Sequence, residues 1–378
     1  MTEIRYLEEW EKRGTIPLWR EAFPEDSDGF VEYYYKEKTR DNRILAAVEE
    51  QGDGKGRIVS MVHRNPYRLW VQGHVVDSDY VVAVATAEDR RHRGLMRGLL
   101  TRMLEDMYRE QMPFCYLMPA DPRIYEPFDF AFVYDQEYWG LTREAKGRLS
   151  ERRVSVGDHG AVKTASRWME GWLRGRFQVS AVRDRAYVER LLLELESEEG
   201  WLELLYDRQQ GREASEGTGE GRLEEGEEPV GVRCWWGTGK TEERFLLCED
   251  RYRERRKESS PAIMARITHL ERCLGLLHLR EDSPVQEWKM ILRVDDPLCL
   301  WNRGTFLWKL DRWGSVLARW DEGETDGLVA EEIRVDQLAQ WIFGYGELTE
   351  LLPKLSSGEC NWWDWIQVWQ GVFLDEVV

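Results

Sequence analysis

Paired cysteines are missing from this sequence. Its six cysteines (115, 234, 248, 273, 299 and 360) never fall into a C-x-x-C spacing. That argues against a zinc site or a disulfide framework, and scattered thiols fit a reducing cytosol. The six histidines (63, 74, 92, 159, 269 and 278) are equally dispersed, so no metal centre is expected. No run of about 18 apolar residues exists to span a membrane. The opening MTEIRYLEEWEKRG lacks an apolar segment, so no signal peptide is expected and the expected location is cytoplasmic. Basic charge is also scarce: 53 Lys and Arg stand against 71 Asp and Glu, a net charge of -18. A nucleic-acid binder needs a basic face, so that class is disfavoured. A negative field suits a cationic ligand, although the same charge also simply keeps a protein in solution.

What is present is a folded chain of 378 residues, 42% hydrophobic and 12% aromatic, long enough for two or three domains. Residues 17–38 read as two short helices broken at Pro24. Strand-like runs follow at 43–50, 56–65, 67–76 and 79–86, as in an antiparallel meander. After Gly94 the period changes. Leu95, Met96, Leu99, Leu100, Met103, Leu104 and Met107 recur at three and four residues, which predicts an amphipathic helix. Pro113 ends it, and strands are expected at 114–120 and after the turn at 124–130. The first unit, 1–140, is therefore α+β. A second α+β unit is expected over 141–280, interrupted by the Gly/Glu/Ser-rich stretch 209–229, which reads as an exposed insert. A third is expected over 281–378, and it holds ten of the 19 tryptophans. No short tandem repeat is present.

The segment EDRRHRGLMRGLL (88–100) gathers Arg90, Arg91, Arg93 and Arg97 around Gly94 in an acidic protein. Two readings apply: a solvated helix start, or a turn that holds phosphate. The first amides of a helix lack internal partners and carry the positive end of its dipole. A glycine there lets an anion approach the backbone, and arginines add charge-assisted hydrogen bonds. Arginines are poor dipole partners at a helix start, which favours the phosphate reading.

VATAEDRRHRGLMRGLL resembles the R/Q-x-x-G-x-G/A motif of the GNAT acetyltransferases, with Arg91 and Gly94 in place and Met96 where a second small residue is usual. The stretches AFPEDSDGFVEYYYKEK, SMVHRNPYRLW, FCYLMPADPRIYEPFDF and the end FLDEVV are similar to the Eis-like (enhanced intracellular survival) N-acetyltransferases within that superfamily. The resemblance covers the whole chain in order. It implies tandem GNAT domains, the second degenerate, followed by a sterol-carrier-protein-like domain. It further implies that acetyl-CoA is the cosubstrate. Val84, Ala85 and Thr86 would hold it by strand backbone, and Arg91, His92, Arg93, Gly94, Leu95 and Met96 would hold its pyrophosphate. Tyr125 of IYEPFDF maps onto the general acid, and the terminal carboxylate at Val378 onto the general base. The family implies aminoglycoside amines as acceptors and a hexameric assembly. Asp26 and Glu376 are the acidic candidates for a polycationic acceptor, and Tyr33, Tyr34 and Tyr35 are candidates to stack on it. A solvated or packing role competes at each of these positions. Lysine side chains of a protein, or non-catalytic acyl-CoA or lipid binding, are the alternative readings. CWWGTGKTEE (234–243) lacks the first glycine of a Walker loop and reads as a hairpin turn. NWWDWIQVWQ (361–370) reads as packing rather than a ligand groove.

Overall fold

Pro24 stands in the corner between two helices, α1 (Ile16–Ala22) and α2 (Asp28–Glu37), which follow strand β1 (Thr2–Tyr6). The computed structural model describes residues 2–50, 56–209, 228–237, 242–320, 328–346 and 362–376. Ser27 caps α2 by accepting from the Phe30 N–H at 3.0 Å. Strands β2 (Arg43–Glu50), β3 (Gly56–Val71) and β4 (His74–Thr86) then run antiparallel. Here one expectation is corrected. The run 67–76 is not a strand of its own; it contains the tip of one long β3–β4 hairpin. Gln72 (φ 45°) and Gly73 (φ 92°) are both left-handed, the geometry a two-residue hairpin requires. Pro66 does not break β3. On the edge away from β4 it falls in a gap, between Arg64, the last partner of β2, and Leu69, the first partner of β8 (Val179–Ala181).

Helix α3 (Leu95–Arg109) buries Leu99, Leu100, Met103, Leu104 and Met107 against the sheet, the stripe that its period predicted. Each such side chain contributes roughly 1.5–3 kcal/mol when fully buried. Strands β5 (Phe114–Leu117) and β6 (Ala131–Leu141) follow. The next segment supplies α4 (Arg143–Arg148), β7 (Leu149–Val154), α5 (His159–Arg174), β8, α6 (Arg185–Ser197) and β9 (Trp201–Asp207). Past the insert come β10 (Gly231–Trp236), β11 (Glu242–Cys248) and β12 (Arg253–Ile267). The order β11-β10-β9-β7 makes a second sheet. CWWGTGKTEE spans the antiparallel β10–β11 pair, as a hairpin does, with its tip outside the described residues. The insert expected at 209–229 likewise falls largely outside them.

Strand β12 does not join that second sheet. It enters the first one between β5 and β6, pairing Ala265 with Tyr116 on one side and with Ala131 on the other. The last segment adds α7 (Leu270–Leu274), β13 (His278–Leu279), β14 (Glu287–Asp295), β15 (Gly304–Asp311), β16 (Ser315–Arg319), β17 (Val329–Arg334) and α8 (Val335–Ile342). A third sheet has the order β16-β15-β14-β17, its last pair parallel. Near the end, β18 (Ile366–Gln367) pairs with β13, and β19 (Val372–Phe373) pairs in parallel with β8. The first sheet thus gathers nine strands from four separated parts of the chain. The architecture is mixed α and β throughout.

One core cluster runs from the first sheet into the C-terminal segment and includes Trp362, Trp363 and Trp369, in line with the packing reading of that stretch. Phe114 of β5 sits with its ring 5.0 Å from Phe343 and 5.5 Å from Trp369. All five described cysteines are buried. Among the described residues no helix is long and apolar enough to cross a membrane, and no group of metal-ligating side chains is assembled. Because Phe114 joins the two segments, Phe114→Ala is expected to cost about 3–5 kcal/mol. Denaturant unfolding followed separately by near-UV and far-UV signals is expected to shift both transitions together.

Candidate functional site

Strands β4 and β5 run parallel and are bonded at a single register position, Tyr80↔Tyr116. Beyond it β4 continues to Thr86, while β5 stops at Leu117. The β5-facing backbone edge of Val82 to Thr86 is therefore left without a ladder partner. Its other edge is held by β3, through Thr86↔Ser60 and Ala85↔Met61. A bulge interrupts that ladder between Met61 and His63, and Ala83 there has φ 51°. A non-glycine residue in this region is costly and re-aims the strand locally. Val84, Ala85 and Thr86 follow the bulge directly, on the wall of a cleft lined by backbone groups.

The segment after β4 closes the end of this cleft. Glu88–Arg90 forms a short 3-10 turn, His92 has φ 62°, and Gly94 caps α3 with φ 77°. No side chain caps α3, no acidic residue stands in its first turn, and a Cβ on Gly94 would meet open space. Its first amides are therefore available to an external anion. The arginines divide. Arg90 is held by Glu49 at 2.8 Å and by Asp89, which also takes Arg57 at 2.8 Å. Arg91 and Arg93 are exposed, and the bonds they make go to the backbone carbonyls of Thr86 and Asp89. Among the described residues neither they nor Arg97 has a carboxylate partner. Excess positive charge thus sits at the one uncapped helix start that faces the parted strands. Met96 packs its side chain against the α3 core, so its bulk does not occupy the turn. Leu95 is half-buried beside it, and His92 is exposed.

Arg97 links this turn to the loop that carries Tyr125: its guanidinium lies 5.1 Å from the Phe128 ring centroid. Phe128 and Phe130 are buried packing residues. Tyr125 is 9% exposed, its ring 5.9 Å from Phe130. Its backbone is tied by Tyr125 N–H to Pro122 at 2.9 Å and by Phe128 N–H to the Tyr125 carbonyl at 2.9 Å. Burial pushes its phenol up to about 12, so it is a neutral O–H at physiological pH. Tyr125 is close enough to Tyr80 to raise that phenol as well.

The chain's last described residues reach the other side of Tyr80. Leu374, Asp375 and Glu376 are at most 3% exposed, so the tail to Glu376 is packed inside the protein and not frayed. Burial pushes the Glu376 carboxyl up to about 7, while the buried Arg183 cation works against that rise. Its charge in turn raises the phenols of Tyr67, Tyr80, Tyr116 and Tyr187. Tyr125 and the tail therefore flank the residues where β4 and β5 part. Val378 lies outside the described residues.

Asp26 lies elsewhere, at the corner between α1 and α2. It accepts from Trp19 Nε1 at 2.7 Å, and burial raises its pKa. The tyrosines of α2 do not fit a stacking role. Tyr33, Tyr34 and Tyr35 are at most 6% exposed and bond internally, Tyr34 to Asn65 at 3.0 Å and Tyr33 to the Arg190 carbonyl at 3.2 Å. Every third or fourth position of this helix faces the sheet, and the three adjacent tyrosines are shared between the sheet and α6. A cavity of about 1150 Å³ opens beside Met112, Pro113 and Val76, with Tyr67, Tyr187 and Arg244 also in its lining. It is separated from the turn by the length of α3, roughly 22 Å. Sequence reading missed the bulge at Ala83 and the buried cation Arg183. The first leaves no sequence signal. The second is foreshadowed by an acidic pair in an apolar tail, which demands a buried counter-charge.

Comparisons with known proteins agree with this geometry. Residues 3–133 match the family model described as an acetyltransferase (GNAT) domain. No curated protein matches the sequence. Among solved structures, a probable N-acyltransferase from Enterococcus faecalis V583 superposes with a TM-score of 0.71 at 14% identity, over 97% of this chain and 94% of that one. A GCN5-related N-acetyltransferase from Kribbella flavida gives 0.70 at 15% identity, over 99% and 98%. Eis1 from Mycobacterium abscessus gives 0.64 at 13% identity, over the full length of both. At these identities the likeness establishes the fold. The domain matched over residues 3–133 supports an acyltransferase.

Two expectations follow from the local physics. Gly94→Ala places a side chain at φ 77°, a left-handed conformation that costs roughly 1–2 kcal/mol, readable by denaturant unfolding. Asp26 has a folded pKa raised by burial, so its contribution favours the folded state at low pH and is lost as pH rises through the folded value. Asp26→Asn is accordingly expected to raise Tm at pH 7 and to raise it less at pH 4.

Proposed function

We propose that this protein is an Eis-like N-acetyltransferase that transfers acetyl from acetyl-CoA to amines of a small polycation, aminoglycosides being the preferred class. The observation that carries the reading is the cleft between β4 and β5, bounded by an uncapped helix start at one end and by a buried tyrosine and the packed tail at the other. The pyrophosphate would sit on the amides of Leu95 and Met96 at Gly94, with Arg91 and Arg93 free to neutralise it and His92 shaping the turn. The pantetheine arm would bond to the open edge at Val84, Ala85 and Thr86. A thioester at the parting point then lies between Tyr125 and the tail.

The chemistry needs three things. An ammonium must lose a proton, its nitrogen must attack the thioester carbon, and the departing sulfur must be protonated. Tyr125 is the proposed acid. It is buried, and burial holds its phenol neutral at physiological pH. The base is placed in the tail, the resemblance assigning it to the Val378 carboxylate two residues beyond Glu376. The acidic balance of the chain and the carboxylates Asp26 and Glu376 support a cationic acceptor. The degenerate second GNAT unit over 141–280, the sterol-carrier-like unit over 281–378, a hexameric assembly and a cytoplasmic location belong to the same proposal. A peptide-lysine acceptor is the competing reading, decided by competition between the two amine classes.

Tyr125→Phe is expected to lower kcat at least a hundredfold, while the CoA Kd from calorimetry changes less than about twofold. Extending the chain beyond Val378 by a short tag is expected to depress kcat with acetyl-CoA affinity intact. Failure of the wild-type protein to release free thiol from acetyl-CoA with any amine of a broad panel, polycationic and monoamine alike, overturns the proposed function.

A further inference from the structure

The turn that carries Tyr125 is tied to the rest of the protein at its C-terminal end. Phe128 N–H and Phe130 N–H both close onto the Tyr125 carbonyl, at 2.9 and 3.4 Å. Asp129 between them has φ 58°, a left-handed conformation uncommon for a residue with a side chain. Such a turn keeps its shape only where its surroundings fix it. Two cations do so. Arg266 of β12 is 0% exposed and donates from Nε to the Phe128 carbonyl at 2.9 Å. Arg334, at the end of β17, donates to Asp129 Oδ1 at 3.3 Å.

Both cations are anchored by the C-terminal part of the chain. Arg266 Nη2 donates to Asp296 Oδ1 at 2.7 Å, and its Nη1 donates to the Ile267 carbonyl at 2.8 Å. The planar guanidinium thus spans three acceptors at fixed angles. Asp296 is also 0% exposed and lies between β14 and β15. It is held in turn by the amides of Leu298 and Cys299, at 3.2 and 2.7 Å, and by Asn302 Nδ2 at 3.3 Å. The same connection sets Leu298, Cys299 and Trp301 into the core cluster that holds Tyr125, Phe128 and Phe130. Arg334 is braced by Asp336 through two bonds of 3.0 Å. The groups that fix the turn from this side therefore come from residues 266–336, beyond the domain matched over 3–133.

A buried ion pair is a weak stabiliser, since desolvation offsets most of its attraction. What this one supplies is placement. Tyr125 and Phe128 belong to one hydrogen-bonded turn, so a shift of the Phe128 carbonyl carries the Tyr125 backbone with it. We propose that Arg266, fastened by Asp296, is the positioning residue for Tyr125, with Arg334 and Asp129 as a second tie. The C-terminal part of the chain then sets the aim of the acid at the thioester sulfur. This rests on the acetyltransferase reading above. Arg266 is enclosed, so it acts through the turn and not on a substrate. A misplacement of about 1 Å can lower a rate as much as a hundredfold. The turn at Gly94 belongs to a different segment, so CoA affinity is not expected to follow.

The test is a double-mutant cycle with Tyr125→Phe in the full chain, read as steady-state thiol release from acetyl-CoA with a polycationic amine. Arg266→Lys keeps the charge beside Asp296 but loses the planar fork that reaches Phe128 at the same time. It is expected to lower kcat about tenfold, with both KM values and CoA affinity changed less than about twofold. In the Tyr125→Phe background the same substitution is expected to cause no further loss, because the group it aims is gone. Arg334 is exposed, so Arg334→Gln tests the second tie without disturbing a buried charge. It is expected to lower kcat roughly threefold, and not at all beside Tyr125→Phe. Hydrogen exchange reads the clamp without turnover. The Phe128 and Phe130 amides are expected to exchange faster in Arg266→Lys, and those of α3 at the wild-type rate. Equal losses with and without Tyr125 mean a general structural role and overturn the proposal, as does an unchanged kcat in Arg266→Lys. If Arg266→Lys fails to fold, Arg334→Gln decides on the same terms. A Tyr125→Phe protein as active as wild type removes the acid and this inference with it. An inactive wild type fails the proposed function, and the clamp then stands or falls on the exchange at Phe128 and Phe130.

Discussion

The site proposed for this molecule depends on β4 and β5 being parallel yet bonded at one register position. A parallel pair bonded along its length would hide its backbone groups. Parting after Tyr80↔Tyr116 exposes a strand edge inside the protein, where unpaired amides and carbonyls are costly unless a ligand or water satisfies them. The bulge at Ala83 shows that the parting is built into β4 and is not a frayed end. The helix start at Gly94 supplies charge complementarity at the mouth of the cleft, and Arg97 over Phe128 carries the alignment across to the Tyr125 loop.

The chain maintains this opening by bringing distant segments to it. β12 braces β5 on its far side and so keeps it from closing onto β4. β19 returns the tail to the outer edge of β3 through β8, and Arg183 then fixes the acidic pair. The tail is therefore part of the interior. A buried cation with two carboxylates is a poor stabiliser in general, because desolvation offsets most of the attraction.

Much of this was legible in the chain itself. The strand–turn–helix around Gly94 is local, so its residues announce it: an apolar run, a glycine, then a stripe at helical spacing. Tyr125 was named by the family resemblance of its stretch, and the structure holds it in a short turn between Pro122 and Pro127. The meander was read with one strand too many because Pro66 and Gly73 are both turn formers, and only Gly73 acts as one. Tyr33, Tyr34 and Tyr35 misled because aromatic residues serve stacking and packing equally well, and burial decides between them.

The sequence by itself determined most of the elements and the anion-ready turn, since each is encoded within a dozen residues by backbone geometry and side-chain period. Tertiary structure alone decided which strand lies beside β5, that the tail is interior, and that Arg183 serves two carboxylates at once. Those are pairings between residues separated by up to 193 positions, such as Arg183 with Glu376. No local propensity encodes such a pairing. It is selected by the need of buried charges and strand edges for partners, and that need is felt only once the chain has folded.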